Sequence, residues 1–471
     1  MQREDIRLKT GLLYPVILTL ASLGCSSVPR EFIRVPDGSS ALVHVRIIDG
    51  TGELPKEDQT ILIERGRIKE IGDSSRIALT GVAQILDLQG YTVLPGLVGM
   101  HDHLFYALPP GSQYKEMLAT FPKLYLANGV TTLRTAGTID IEAELSFKKR
   151  VDQGKELGPH LYLSTPYVQP DENSPPNPAR WAQAVEQLIP FGINSVKVYT
   201  HARSSELAAV IQTAHRHGVS VTGHLCAVGS TEAANLGIDN LEHGLVEDTE
   251  FYSRRQPNRC PDQASVVAEL VQMDVHAPLI QGLIQTLVQH HVAVTSTLPV
   301  FESFSSLRLA HLDERTLPTL VPGLQAAYRS YVARTRTAPD DVWERMLKKE
   351  MEFEREFFKA GGVLLAGTDP TGWGGVIAGY GDQRELELLV EAGFAPEQAI
   401  KIATYNGALF LGQGDRIGTL AKGKNADLIV IKGNPKREIK EIEHTEIVFR
   451  DGVGYDSAAI LKTVAGQVGR E

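Results

Sequence analysis

Between residues 95 and 414, short β-rich runs alternate eight times with stretches of helical composition, and this rhythm admits few folds. The runs are 95–103, "GVTTLRTA" (129–136), "HLYLSTPYV" (160–168), "SVKVY" (195–199), "VSVTGHL" (219–225), "NLEHG" (240–244), "VAVTSTL" (292–298) and "VLLAGTD" (363–369). Helical stretches between or after them include 204–218, 339–362 and 385–412. Such an α/β alternation predicts a (β/α)8 TIM barrel over 95–414, whose chemistry is expected at the C-terminal ends of the strands. Residues 299–362 form a long insertion before the last strand. Its helices and its Phe301, Phe304, Tyr328 and Trp343 suit a lid or specificity wall, or an oligomer surface.

The segments outside the barrel have a different texture. Residues 41–94 and 415–460 are short β-rich runs punctuated by Gly and Asp, the pattern of strands joined by tight turns. Together they predict one small composite β-sandwich. Ahead of them, Arg3, Arg7 and Lys9 precede the apolar run 11–24, which is too short to span a bilayer comfortably and suits the core of a signal peptide. The run stops at Cys25 in "ASLGCSS", similar to a bacterial lipoprotein cleavage site. The expectation is an exported protein, periplasmic or extracellular, with residues 1–25 a signal peptide. Cys25 is then either lipidated, the only membrane link expected, or removed, and an ordinary buried N-terminal segment is the competing reading.

A net charge of −10 argues against nucleic acid or an anionic membrane surface as partner, because phosphate binding needs clustered Lys and Arg. A small-molecule substrate is the expectation, with a homo-oligomer left open.

The strand ends carry a set of polar residues. His101 and His103 in "GLVGMHDHLFY" end the first strand, and their i, i+2 spacing turns both imidazoles to one side. Lys197 and Tyr199 end the fourth, His224 the fifth, His243 the sixth and Asp369 the eighth. A lone strand-end His is as often structural as functional, and an Asp in "GTDPTG" is usually a turn residue. Six metal-competent groups placed on one rim point to a metal centre. In "SVKVY" alternation turns Lys197 and Tyr199 inward and Val196 and Val198 toward the helices. Desolvation of such a lysine favours its free amine. A cationic Lys197 paired with Asp369 in a metal-free barrel is the alternative.

These motifs, with "AIKIATYNGALFLG" and "RIGTLAKGKNADLIVI" near the C-terminus, resemble the amidohydrolase superfamily over nearly all of the chain past residue 25, within its imidazolonepropionase- and prolidase-like branch. The resemblance implies two divalent metal ions, Zn2+ suiting His and carboxylate ligands best. One ion would be held by His101, His103, Asp369 and a CO2-derived carbamate on Lys197, the other by that carbamate, His224 and His243. It further implies a metal-bridging hydroxide as nucleophile and Asp369 as general acid and base. The expected reaction is hydrolysis of a C–N bond in a dipeptide or N-acyl amino acid. Cyclic amides, ureas or carbamates are the nearest alternative substrates, and a catalytically silent binding lipoprotein is the alternative of another class.

Two residues beside the metals bear on the substrate. Tyr199 is placed to bond the substrate carbonyl or the oxyanion, with plain core packing an equal reading. Arg134 in "TTLRTAGT" is expected at the pocket rim, as a clamp for a substrate carboxylate or in a rim salt bridge. Cys226 and Cys260 fall on the same face, and a disulfide between them would pin the 246–263 connection over the metals; two free thiols are the competing reading.

Overall fold

The computed structural model describes residues 28–111, 113–309, 314–335 and 341–471, so residues 1–25, expected from sequence to be a signal peptide, and Cys25 lie outside the described residues. All eight expected strands of the 95–414 region are present: β1 Leu97–Asp102, β2 Val130–Thr135, β3 His160–Tyr162, β4 Ser195–Val198, β5 Ser220–Gly223, β6 Asn240–Glu242, β7 Ala293–Ser296 and β8 Leu364–Ala366. Each is shorter than its β-rich run, because the run's last residues leave the ladder to face the site.

The strands form two parallel sheets, ordered β3-β2-β1 and β4-β5-β6-β7-β8. Backbone bonds span both seams. The stretch after β3 reaches β4 through Thr165 N to Ser195 O (3.1 Å) and Val168 N to Lys197 O (2.8 Å). The end of β8 reaches β1 through the amides of Thr368 and Asp369, which both donate to the carbonyl of His101 at 3.0 and 2.9 Å. Gly367 makes this second approach possible, since a Cβ there would sit 2.5–2.8 Å from the Cβ, N and Cα of His101. The arrangement is TIM-barrel-like.

Helices cover the outer face. The buried side chains of Val196 and Val198 pack with Leu207, Val210 and Ile211 of the helix Ser204–Arg216, as the alternation in β4 requires. The stretch 385–412, read from sequence as helical, is interrupted. Helix Tyr380–Glu391 stops before Gly393, which adopts a left-handed φ of +100°, and Pro396 starts the next helix. Among the described residues no helix is long and apolar enough to cross a membrane.

The two β-rich ends of the chain join in one nine-stranded sheet. Leu428–Lys432 lies antiparallel to Tyr91–Pro95, with Val430 opposite Val93, so the C-terminal strands flank the strand that runs directly into β1. Side chains from both ends, among them Leu42, Ile61, Val93, Leu428, Val430 and Phe449, share a core of their own.

Candidate metal centre

The C-terminal ends of the strands bring three imidazoles, those of His101, His103 and His243, around one carboxylate, with His224 beside His243. His103 Nε2 lies 3.2 Å from Asp369 Oδ1, His101 Nε2 3.7 Å from the same oxygen and His243 Nε2 3.9 Å from Oδ2. The ligand atoms of His101, His243 and Asp369 all lie within 4.8 Å of one another. The rings run in sequence around the rim: His101 and His243 are 4.4 Å apart between centroids, and His243 and His224 4.6 Å. Two of these residues, His243 (φ 71°) and Asp369 (φ 49°), adopt left-handed backbone, a conformation that costs energy and collects at functional sites.

Each imidazole is held at its other nitrogen. His101 Nδ1 pairs with Glu242 Oε2 at 2.7 Å, His243 Nδ1 with the Thr297 hydroxyl at 2.7 Å, and His103 Nδ1 with the Gly137 carbonyl at 3.3 Å. His224 is reversed: its Nε2 faces Glu247 Oε2 at 3.3 Å, which leaves Nδ1 for the site. Such partners fix tautomer and ring direction in metal-binding histidines. Burial keeps His101 neutral, lowering its pKa to about 4. Burial works against the charge of Asp369, yet the surrounding histidines hold it well below the usual carboxylate range. Neutral His101 and His243 and an ionised Asp369 are the donor forms a divalent ion takes.

Lys197 sits beneath them with 1% of its surface exposed, and its Nζ has no hydrogen-bond partner. Burial lowers its pKa to about 8 against the attraction of Glu242 and Asp369. Its ion-pair neighbour is Glu242, at 3.8 Å, rather than the Asp369 of the metal-free alternative. His243 Nε2 is likewise buried without a hydrogen-bond partner. Orphaned buried polar atoms are costly, and here two of them belong to the expected ligand set. The residues present fit a divalent metal site.

Two adjoining cavities of about 280 and about 370 Å3 open over Asp369 and share Tyr114, Tyr199, His224 and Thr371. Phe301 and Phe304 wall the first, with the Phe301 ring edge-on to His243 at 5.7 Å. Trp343 backs both phenylalanines, stacked on Phe301 at 6.3 Å and tilted against Phe304 at 5.0 Å. Tyr328 instead packs on Trp373 and bonds the Gly375 carbonyl. Tyr199 lines both cavities between the rings of Tyr167 and His224, at 4.8 and 4.7 Å. Cys226 and Cys260 line the first cavity and are joined by a disulfide, with Cα atoms 5.0 Å apart.

Arg134 is not at the rim. It is fully buried inside the barrel, where its guanidinium bonds Glu242 Oε1 (2.8 Å), Asn240 Oδ1 (2.9 Å) and the Met100 carbonyl, so it has no reach to a substrate carboxylate. Its phase in β2, shared with Thr132, turns it toward the barrel axis, and an opposite buried charge holds it there. Glu242, Glu247 and Thr297 escaped the sequence reading. A signal existed for Glu242: Asn240 and Glu242 share one face of a strand whose Leu241 faces the helices.

The amidohydrolase family matches residues 92–453, and the chain belongs to that family. Dihydroorotase of Geobacter sulfurreducens is 38% identical over 88 residues, but that match spans only 19% of this chain and 19% of the relative. Imidazolonepropionase of Flavobacterium psychrophilum is 22% identical over 417 residues, 86% of this chain and 92% of that one. Among solved structures, a Xaa-Pro dipeptidase with methionine bound in its active site superimposes with a TM-score of 0.64 at 20% identity, covering 89% of this chain and all of that one.

Proposed function

We propose that this protein is a metal-dependent hydrolase of C–N bonds acting on a small amide, with a dipeptide or N-acyl amino acid the leading substrate class. The observation that carries the reading is the convergence of His101, His103 and His243 on Asp369 with His224 beside them, each imidazole held at one nitrogen by a separate partner, above a buried lysine without a hydrogen bond. His101, His103 and Asp369 would hold one divalent ion, His224 and His243 the other, and a carbamate on Lys197 would bridge them. When bound, such a pair supplies an acidified water and Lewis acidity toward the scissile carbonyl.

The chain's own residues do the rest. Asp369, ionised at neutral pH, takes the proton of the attacking water and returns it to the leaving nitrogen. Tyr199 keeps its hydroxyl protonated, since burial pushes its pKa up, and so faces the site as a donor for the developing oxyanion. Tyr114, Phe301 and Phe304 line the cavity with apolar surface that receives the substrate and keeps water from it. The barrel is read as closed, with the nine-stranded sheet folded over its own core as a small sandwich.

Export is part of the proposal. The bridge between Cys226 and Cys260 supports it, because disulfides persist in oxidising compartments. Elemental analysis of protein prepared with Zn2+ and bicarbonate should find two metals per chain. Amine release should follow from a panel of dipeptides, N-acyl amino acids, cyclic amides and ureas. Metal without any turnover on the panel would favour the binding lipoprotein, and absence of metal would end the proposal.

A further inference from the structure

Three charged side chains, Lys197, Arg134 and Glu242, lie together inside the barrel below the imidazoles, and Asp369 lies among the rings above them. Glu242 is their hub. It is fully buried, and both of its oxygens are engaged. Oε2 meets His101 Nδ1 at 2.7 Å, while Oε1 accepts Arg134 Nη2 at 2.8 Å and the Thr222 hydroxyl, and faces Lys197 Nζ at 3.8 Å. Arg134 is anchored from behind, by Asn240, the Met100 carbonyl and the face of Phe410 at 5.6 Å. Two cationic side chains, Lys197 and Arg134, thus stand with two carboxylates, Glu242 and Asp369, in one buried cluster.

Carboxylation of Lys197 would upset that balance. The Lys197 ammonium first gives one proton to solvent; the free amine then attacks the carbon of CO2, an N–C bond forms as one C–O π bond breaks, a second proton leaves to solvent, and a cation beside Glu242 becomes an anion. We propose that Arg134 and Glu242 act as a positioning pair for the metal centre: Glu242 accepts the Nδ1–H of His101 and so commits Nε2 to the metal, and Arg134 supplies the countercharge that lets Glu242 stay beside an anionic Lys197. This rests on the metal and carbamate of the proposed function. It gives Arg134 a role in the site without any contact to substrate.

The test uses the full chain, stripped of metal and reconstituted with Zn2+ in the presence of bicarbonate. Glu242→Gln keeps an acceptor for His101 but removes the charge. Arg134→Met removes the countercharge, and the double variant removes both. Zn2+ affinity is read by chelator competition, and the melting temperature of the metal-free protein is read beside it. Glu242→Gln should weaken Zn2+ binding about 10- to 100-fold, the scale of lost partners behind metal ligands, and should also lower the metal-free melting temperature because Arg134 loses its buried anion; the double variant, with no opposed pair half broken, separates the two effects. Arg134→Met should weaken it at least as far. Wild-type Zn2+ affinity in both single variants overturns the inference. If Arg134→Met does not fold, the double variant decides, since no opposed pair is then half broken: a tenfold or larger loss supports the pair and wild-type affinity overturns it. A wild-type chain that takes up no Zn2+ would instead count against the proposed function itself.

Discussion

Removing the Cys226–Cys260 bridge should cost global stability and loosen one wall of the substrate cavity. The bridge spans 34 residues, and these contain β6, His243 and the connection that follows it. In the chain-entropy account, a closed loop of that length restricts the unfolded chain by about 4 kcal/mol. Spread over the unfolding entropy of a chain of this size, that corresponds to about 4 °C in melting temperature. The local effect should be larger in proportion. Without the bridge, the wall around Glu247 and Thr249 keeps the contact of Glu247 with His224, the 2.7 Å bond from Gln263 to Glu247 and the 2.7 Å bond from Thr249 to the Cys226 carbonyl. The assay is calorimetry of Cys226→Ser/Cys260→Ser beside wild type, with limited proteolysis mapped to 246–263 and KM measured on whichever substrate the panel yields. The double variant should melt a few degrees lower, cleave faster within that connection, and show a raised KM. Unchanged melting and unchanged cleavage would refute the argument. So would two reactive thiols beyond Cys25 on unfolded, non-reduced wild type.

Asp369→Asn should lower turnover by about 10²-fold or more while substrate still binds, and wild-type turnover in that variant would remove Asp369 from proton transfer. Lys197→Ala should lose at least one metal whatever the bicarbonate concentration; full two-metal occupancy there would sink the carbamate. Away from the site, burial lowers His160, but Asp427 and Asp451 outweigh it and raise its pKa to about 9. A folded pKa above the unfolded value near 6.5 means that this contribution to stability is complete below pH 6.5 and lost as pH rises through 9. His160→Gln should flatten the urea midpoint across that window, and an unaltered slope would contradict the assignment. Glu350 is the converse case of an acid: burial pushes it up to about 8 against bonds from the Leu245 and Val246 amides, so the folded state holds an extra proton. Stability should therefore fall as pH climbs from about 4.5 to 8, and Glu350→Gln should reduce that fall when unfolding is followed at fixed pH values.

Periodicity made the barrel region legible. Each strand candidate was short and β-rich, and all eight occur where the sequence placed them, because a strand buried on both faces leaves a near-continuous apolar run. His101, His103, His224, His243 and Asp369 line the mouth for the same reason, since a His or Asp at the end of such a run has few other places to go, while Lys197 lies beneath them. What stayed hidden were pairings between distant strands. Arg134 and Glu242 are 108 residues apart, and nothing in "TTLRTAGT" says whether its arginine rises to the rim or stays along the axis. That choice is made by the buried carboxylate across the barrel, which no local pattern reveals. The insertion was legible as helical and aromatic, but the division of labour within it was not: Phe301 and Phe304 face the cavity while Tyr328 is drawn off to Trp373.

The polarity of the barrel interior follows from the site above it. TIM barrels commonly fill their centre with layers of branched aliphatic side chains. Here the axis beneath the imidazoles carries Thr132, Arg134, Lys197, Thr222, Asn240, Glu242 and Thr295, all buried, and aliphatic packing by Val98, Met100, Ala293 and Leu365 forms a separate cluster. Buried charges on this scale would destabilise the core unless each were met, and the structure meets Glu242 from three sides and Arg134 through three bonds. An all-aliphatic axis would satisfy the fold but would leave His101 with no partner at Nδ1 and take from Lys197 the anion beside it. The ionic core is thus better understood as the underside of the metal centre than as a stabilising feature of the barrel, since hydrophobic replacement of a buried ion pair is often neutral or stabilising. Replacing Arg134, Glu242 and Lys197 together by Met, Gln and Met should accordingly leave a folded chain that melts no lower than the metal-free wild type and binds no metal pair. A marked drop in its melting temperature would show that the charges hold the barrel together instead.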